Sequence, residues 1–161
     1  GGDPALGSDR FGSTWKDQVA IWVEAISKLG IHRIEGKVIG DDSLWEKGKA
    51  IGSWGVDDVG NYYGASASAL TFHENFYSLF FRPSDVGSPA AIVRTDPPFA
   101  RLSFQNEVLT GPEGSGDQAF IYGSDYSFVR FVQGTIPAGV HEFMIKGSVP
   151  GAKGSYVLIE K

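Results

Sequence analysis

Ser13-Thr14-Trp15-Lys16 sets a serine three residues ahead of a lysine, at a point where a helix should begin. Residues in that arrangement can do acyl-transfer chemistry, because a neutral lysine amine one turn on can take the proton from the serine hydroxyl. The partners such chemistry needs are missing. The sequence holds no Ser-x-Asn or Tyr-x-Asn, and Lys146-Gly147-Ser148 and Lys153-Gly154-Ser155 run in the wrong order for a Lys-Thr-Gly motif. A helix cap followed by a solvated lysine explains the match without chemistry, so no catalytic residue is assigned to this chain.

Trp54, Asp58 and Tyr63 form a second group. They lie in residues 41–68, a stretch rich in Gly, Asp and Ser. A loop of that length inside a compact domain is uncommon and tends to be functional. A carboxylate there can pair with an ammonium group while an aromatic ring covers the apolar stem behind it. Asp57 and Tyr62 repeat the spacing one residue earlier, so the register stays open by one position. The bland alternative is a capped turn with its aromatics packed on the surrounding lobe. A third reading takes Trp45, Trp54, Tyr62 and Tyr63 as a sugar-stacking platform of a free-standing binding module for a cell-wall glycan or a protein.

The remaining candidates are weaker. His32, His73 and His141 stand alone, without zinc-ligand spacing. Asp41-Asp42 and Asp57-Asp58 lack the alternating ligands of a calcium loop. The stretch from Gly111 to Gly116 is not followed by Lys-Ser/Thr and is not a phosphate loop. No metal and no cofactor is expected.

These residues must be positioned by a chain of 161 residues, enough for one domain or two small lobes, about 1–85 and 86–161. Apolar residues make up 42% and charged residues 20%, a globular and not a disordered balance. The net charge of −5, with scattered basic residues, argues against a nucleic-acid surface. The sequence has no run of apolar residues long enough for a membrane span. Cysteine is absent, which removes disulfides and thiolate chemistry.

The spacing of Trp15, Val19, Trp22, Val23, Ile26 and Leu29 predicts a helix from about Ser13 to Leu29, capped by Ser13 or Thr14 and stopped by Gly30. A strand is expected over residues 33–39. Further strands are expected at Phe76–Arg82, 91–95, 101–109, 119–123, 127–133, 140–146 and 156–160, with a hairpin turn at Ser124-Asp125-Tyr126. Phe76, Tyr77, Phe80 and Phe81 read as a strand buried on both faces. One helix followed by many strands reads as α+β, with largely antiparallel sheet and one main helix near the N-terminus.

Three stretches, in order, resemble the class C low-molecular-mass penicillin-binding proteins, which are serine D-Ala-D-Ala carboxypeptidases and endopeptidases. The first is Gly1-Gly2-Asp3-Pro4-Ala5-Leu6. The second runs from Leu29-Gly30-Ile31 through Ile34-Glu35-Gly36 to Gly40-Asp41-Asp42-Ser43. The third takes in Trp54, Asp58, Tyr63, Ala69-Leu70 and Glu74-Asn75, with an echo at Asn106 and Thr110 and in the stretch from Gly134 to Lys146. In that family a long insertion splits the catalytic domain between its Ser-x-x-Lys and Ser-x-Asn motifs, and the stretches matched here belong to the insertion. The family's nucleophile precedes Gly-Gly-Asp-Pro, whereas Ser13 follows it. The resemblance therefore implies an inserted accessory region, 1–161, of a periplasmic or otherwise extracytoplasmic peptidoglycan hydrolase. Its partners would be the catalytic domain of the same parent chain and a peptidoglycan peptide. Asp58 and Tyr63, with Trp54, would stand at the mouth of the cleft and hold the free amino end of the substrate.

Overall fold

The computed structural model describes residues 3, 5–36, 39–44 and 54–150. The first long element, α1 (Trp15–Lys28), begins where its sequence supplies a reciprocal cap. The Thr14 hydroxyl accepts from the Asp17 backbone N–H at 3.2 Å, and the Asp17 carboxylate accepts from the Thr14 N–H at 2.8 Å. Two of the helix's otherwise unpaired donors are satisfied in this way. The backbone and side-chain hydrogen bonds from Thr14 hold the Asp17 carboxyl below its ordinary value. Thr14, and not Ser13, is the cap. Gly30, at φ +77°, ends the helix.

The helix forms as its periodicity requires, but its apolar stripe is covered only in part. Trp15 donates from Nε1 to Asp96 Oδ1 at 3.2 Å, and the Trp22 ring lies 5.6 Å from that of Phe72. Val23 and Leu29 remain 56% and 77% exposed. Among the described residues of 33–39 no strand forms, which corrects the expectation. The local alternation is there, but a strand needs a neighbouring edge for its N–H and C=O groups, and Ile31, Ile34 and Ile39 stay exposed instead.

Among the described residues six strands follow: β1 (Phe76–Arg82), β2 (Ala91–Asp96), β3 (Ser103–Gly111), β4 (Gln118–Tyr122), β5 (Val129–Pro137) and β6 (Phe143–Ser148). They make two three-stranded sheets, ordered β2-β1-β6 and β3-β5-β4. Three of the four pairings are antiparallel, and β3 with β5 is parallel. The fold is thus α+β with antiparallel pairing dominant, as expected. The strand expected at 156–160, and Trp45, lie outside the described residues.

The two sheets pack face to face. Tyr77, Leu79 and Phe81 of β1 and Ile145 of β6 meet Val108, Ile121, Val132 and Ile136 of the other sheet in one buried cluster. Burying each such side chain contributes about 1.5–3 kcal/mol. The other face of β1 is covered as well: Phe76 is buried, and the Arg94 guanidinium lies over the Phe80 ring at 3.5 Å.

Arg130 also lies inside, fully buried between the sheets. Its Nη1 donates to the carbonyls of Ser124 (3.1 Å) and Ser127 (2.8 Å), and its Nη2 to that of Ser148 (3.4 Å). It therefore ties the β4–β5 hairpin to the end of β6. Burial pushes the neighbouring Tyr77 hydroxyl up to about 12, with the Arg130 charge opposing part of that rise. Tyr77 stays protonated at any physiological pH.

Before β1, His73-Glu74-Asn75 form a left-handed turn with φ of 50°, 52° and 56°. Such backbone persists only where surrounding bonds over-determine it. Here the His73 N–H donates to Leu6 O at 2.8 Å, and Glu74 pairs with Arg10 at 3.1 Å. The Glu74 carboxylate also accepts from the Ser8 hydroxyl at 2.5 Å. The turn pins the segment before α1 to the start of β1.

Candidate functional site

Trp54, Asp58 and Tyr63 come together on one short, tightly anchored loop. It contains the single-turn helix α2 (Val56–Val59) and a 3₁₀ turn at Tyr62–Gly64. Asn61, only 5% exposed, fastens it to the sheets. Its Oδ1 accepts from the Ile121 N–H of β4 at 3.1 Å, and its Nδ2 donates to Asp57 O at 2.6 Å. From β6, Ser148 donates its N–H to Gly60 O at 3.0 Å and its hydroxyl to Val59 O at 2.5 Å.

Two glycines make this approach possible. A Cβ on Gly60 would stand 2.0 Å from Ile121 O, and one on Gly64 would stand 2.2 Å from Asp58 O. Both obstacles are backbone, so no side chain could move aside.

The clamp fixes where the candidate side chains stand. Trp54 and Asp58 are half-buried, whereas Asp57 and Tyr63 are exposed. The Asp58 Oδ2 lies 3.5 Å from the Cβ position of Gly55, so the carboxylate folds back toward the residue after Trp54. Burial pushes the Tyr63 hydroxyl above its ordinary value, and the charges of Asp58, Asp117 and Asp57 add to that effect. The Tyr63 ring thus stands in a negative field. Among the described residues none of these three carboxylates has an ion-pair partner. Tyr62 meets the Tyr63 ring edge to face, 5.3 Å between ring centres, and the Lys146 ammonium lies 5.9 Å from the Tyr62 ring centre and 4.7 Å from that of Phe76. The geometry suits a cationic ligand group at Tyr63 and leaves Tyr62 occupied by a lysine of the protein itself.

The other sequence candidates take structural places. Ser13 Oγ is 3.5 Å from Thr14 O, and the Lys16 ammonium lies over its neighbour Trp15 at 5.4 Å. No hydrogen bond joins Ser13 to Lys16. The His73 Nδ1 lies 3.1 Å from Gly7 O, within the turn before β1. Among the described residues no group of three or more His, Asp or Glu side chains could hold a metal ion. Among the same residues no helix is long and apolar enough to cross a membrane. Between the first turn of α1 and the outer face of β1 and β6 lies an open cleft of about 220 Å³, lined by Lys16, His73, Ser78, Asp96 and Lys146 among others. Ser78 and Lys146 are direct cross-strand neighbours there, yet no hydrogen bond activates the hydroxyl.

Sequence reasoning missed Asn61, Gly60, Gly64 and Ser148, which hold the loop. The available signal was Gly60-Asn61-Tyr62-Tyr63-Gly64, small or turn-forming residues bracketing two exposed rings. Asn61→Ala leaves the Ile121 N–H and the Asp57 carbonyl without their partners, an expected loss of about 1–3 kcal/mol. Hydrogen exchange at the Ile121 amide should accelerate; unchanged protection there would show that Asn61 does not anchor the loop.

The chain matches the family described as D-Ala-D-Ala carboxypeptidase 3 (S13) over residues 1–153. Among solved structures it is similar to penicillin binding protein 4 (dacB) from Haemophilus influenzae. The TM-score is 0.55 at 17% identity, covering 92% of this chain and 31% of that one. At that identity the likeness is one of fold, and the chain spans about a third of the relative's length. No curated protein matches it. The family match runs through α1, the loop of Asp58 and Tyr63 and all six strands, so the chain belongs to the D-Ala-D-Ala carboxypeptidase 3 (S13) family.

Proposed function

We propose that residues 1–161 are an accessory region inserted in the catalytic domain of a peptidoglycan D-Ala-D-Ala carboxypeptidase or endopeptidase. In this reading it works outside the cytoplasmic membrane and shapes access of peptidoglycan peptides to a serine centre carried by the rest of the parent chain. Asp58 accepts the free amino end of the substrate's side chain, Tyr63 covers its stem, and Trp54 backs the carboxylate. The observation that carries this reading is the half-buried Asp58 and the exposed Tyr63 on one loop clamped to both sheets, with the charges of Asp58, Asp117 and Asp57 all felt at Tyr63. A rigid mount matters because recognition of one ammonium loses strength steeply when its acceptor can move away.

The accessory character is tested by acylation. Intact mass after incubation of the 161-residue chain with excess benzylpenicillin should show no added mass, since Ser13 is not hydrogen-bonded to Lys16. A stoichiometric adduct that disappears in Ser13→Ala would make Ser13-Thr14-Trp15-Lys16 a catalytic motif and overturn the proposal.

A further inference from the structure

The outer face of the β3-β5-β4 sheet has no role in the account so far. Its register sets side chains in rows: Gln105 beside Phe131 beside Tyr122, then Glu107 beside Gln133 beside Phe120, then Leu109 beside Thr135 beside Gln118. The opposite face of these strands supplies the core through Val108, Val132 and Ile121, so folding does not require rings on the outside. Yet Phe131 is 50% and Phe120 45% exposed. Exposed positions on a strand are ordinarily polar, and a cluster of rings there marks a binding surface.

The chemistry of this face narrows the ligand. It carries no Lys or Arg, which removes phosphate and nucleic-acid partners. Its carboxylate, Glu107, is tied to Gln133 Nε2 at 2.9 Å. What remains is flat ring surface interleaved with glutamine amides, each offering both donors and an acceptor. None of the three rings stacks on another ring among the described residues; Phe120 and Phe131 are exposed and Tyr122 is half-buried beside Phe131. A sugar chain bearing acetamido groups has the complementary pattern: apolar C–H faces for the rings, and hydroxyl and amide groups for the glutamines. The face is also continuous with the Asp58–Tyr63 loop along β4. Asp117, whose charge reaches Tyr63, immediately precedes Gln118, and Asn61 bonds the β4 backbone at Ile121.

We infer that this sheet face binds the glycan strand of the same polymer whose peptide the loop receives, with Phe120, Tyr122 and Phe131 as stacking rings and Gln105, Gln118 and Gln133 as amide partners. The identification of the polymer as peptidoglycan rests on the proposed function; the binding of an N-acetylated amino-sugar chain does not.

The test is calorimetric titration of the full-length protein with β-1,4-linked N-acetylglucosamine oligomers, which carry no peptide. Saturable binding is expected, weakened at least about tenfold in the Phe120→Ala/Phe131→Ala double variant and retained in Phe131→Trp. Both positions are exposed, so thermal unfolding should stay close to that of the parent, and Phe131→Trp reads the ring requirement independently of any folding loss. Absence of binding, or equal binding by the double variant, overturns the inference. A dimer in solution that the double variant converts to monomer also overturns it and gives the face to a second copy. Failure of the peptide-binding role would appear elsewhere, as equal effects of Asp58→Asn on free and acetylated peptides, with oligomer binding intact.

Discussion

Arg130→Ala should destabilise the protein by about 3–5 kcal/mol, a large part of the roughly 5–15 kcal/mol that holds a domain together. Three carbonyls, of Ser124, Ser127 and Ser148, lose their guanidinium donors at once, the Ser148 bond buried and the two in the turn partly so. Each buried acceptor left alone costs about 1–3 kcal/mol, and the vacated volume adds a cavity term. The hairpin turn and the end of β6 are then no longer joined, and the Ser148 bonds that hold the Asp58 loop loosen with them. Arg130→Lys should not restore stability, because one ammonium cannot reach both the Ser124–Ser127 turn and Ser148 as the planar fork does. The measurement is the urea midpoint, or a melting temperature lowered by about 6–20 °C. A loss under about 1 kcal/mol in Arg130→Ala would show that the cross-tie is not stabilising.

Arg130 also shows where the sequence is silent. In Val129-Arg130-Phe131-Val132 the alternation alone would turn Phe131 inward and Arg130 outward, and the structure does the reverse for that pair. The ring goes out because Val132, in step with Arg130, belongs to the core. The arginine goes in because three carbonyls from separate parts of the chain converge on it, which no local pattern records. The parallel pairing of β3 with β5 is hidden for the same reason, since partner choice is non-local. Elements governed by local chemistry were legible: α1 through its 3.6-residue spacing and cap, β1 at its observed limits, and the β4–β5 hairpin through Ser124-Asp125-Tyr126. Among the described residues of 33–39 the expected strand does not form, and no neighbouring edge pairs with them there. At the candidate site, Asp58 and Tyr63 are singled out by the family resemblance and by the chemistry their types allow. Asn61 was not found, because a buried asparagine bonding two backbone groups looks in sequence like any turn residue.

The second large effect concerns Asp58. A carboxylate accepting from an ammonium in a half-buried site is worth about 1.5–3 kcal/mol, or a factor of about ten to a hundred in kcat/KM. Asp58→Asn keeps the shape and removes the charge, so the loss should fall on substrates with a free amino end. Tyr63→Ala removes a ring beside that cation, an expected two- to fivefold effect from about 0.5–1 kcal/mol at an exposed site. Asp57→Asn should cost less than Asp58→Asn, because Asp57 is exposed to solvent. The most direct measurement is kcat/KM of the proposed full-length parent and its Asp58→Asn variant on two D-alanine-terminated peptides that differ only in acetylation of the side-chain amine. The account predicts a ten- to hundredfold loss on the free amine and little change on the acetylated peptide. Equal losses on both would contradict it and return Asp58 to the role of a turn residue.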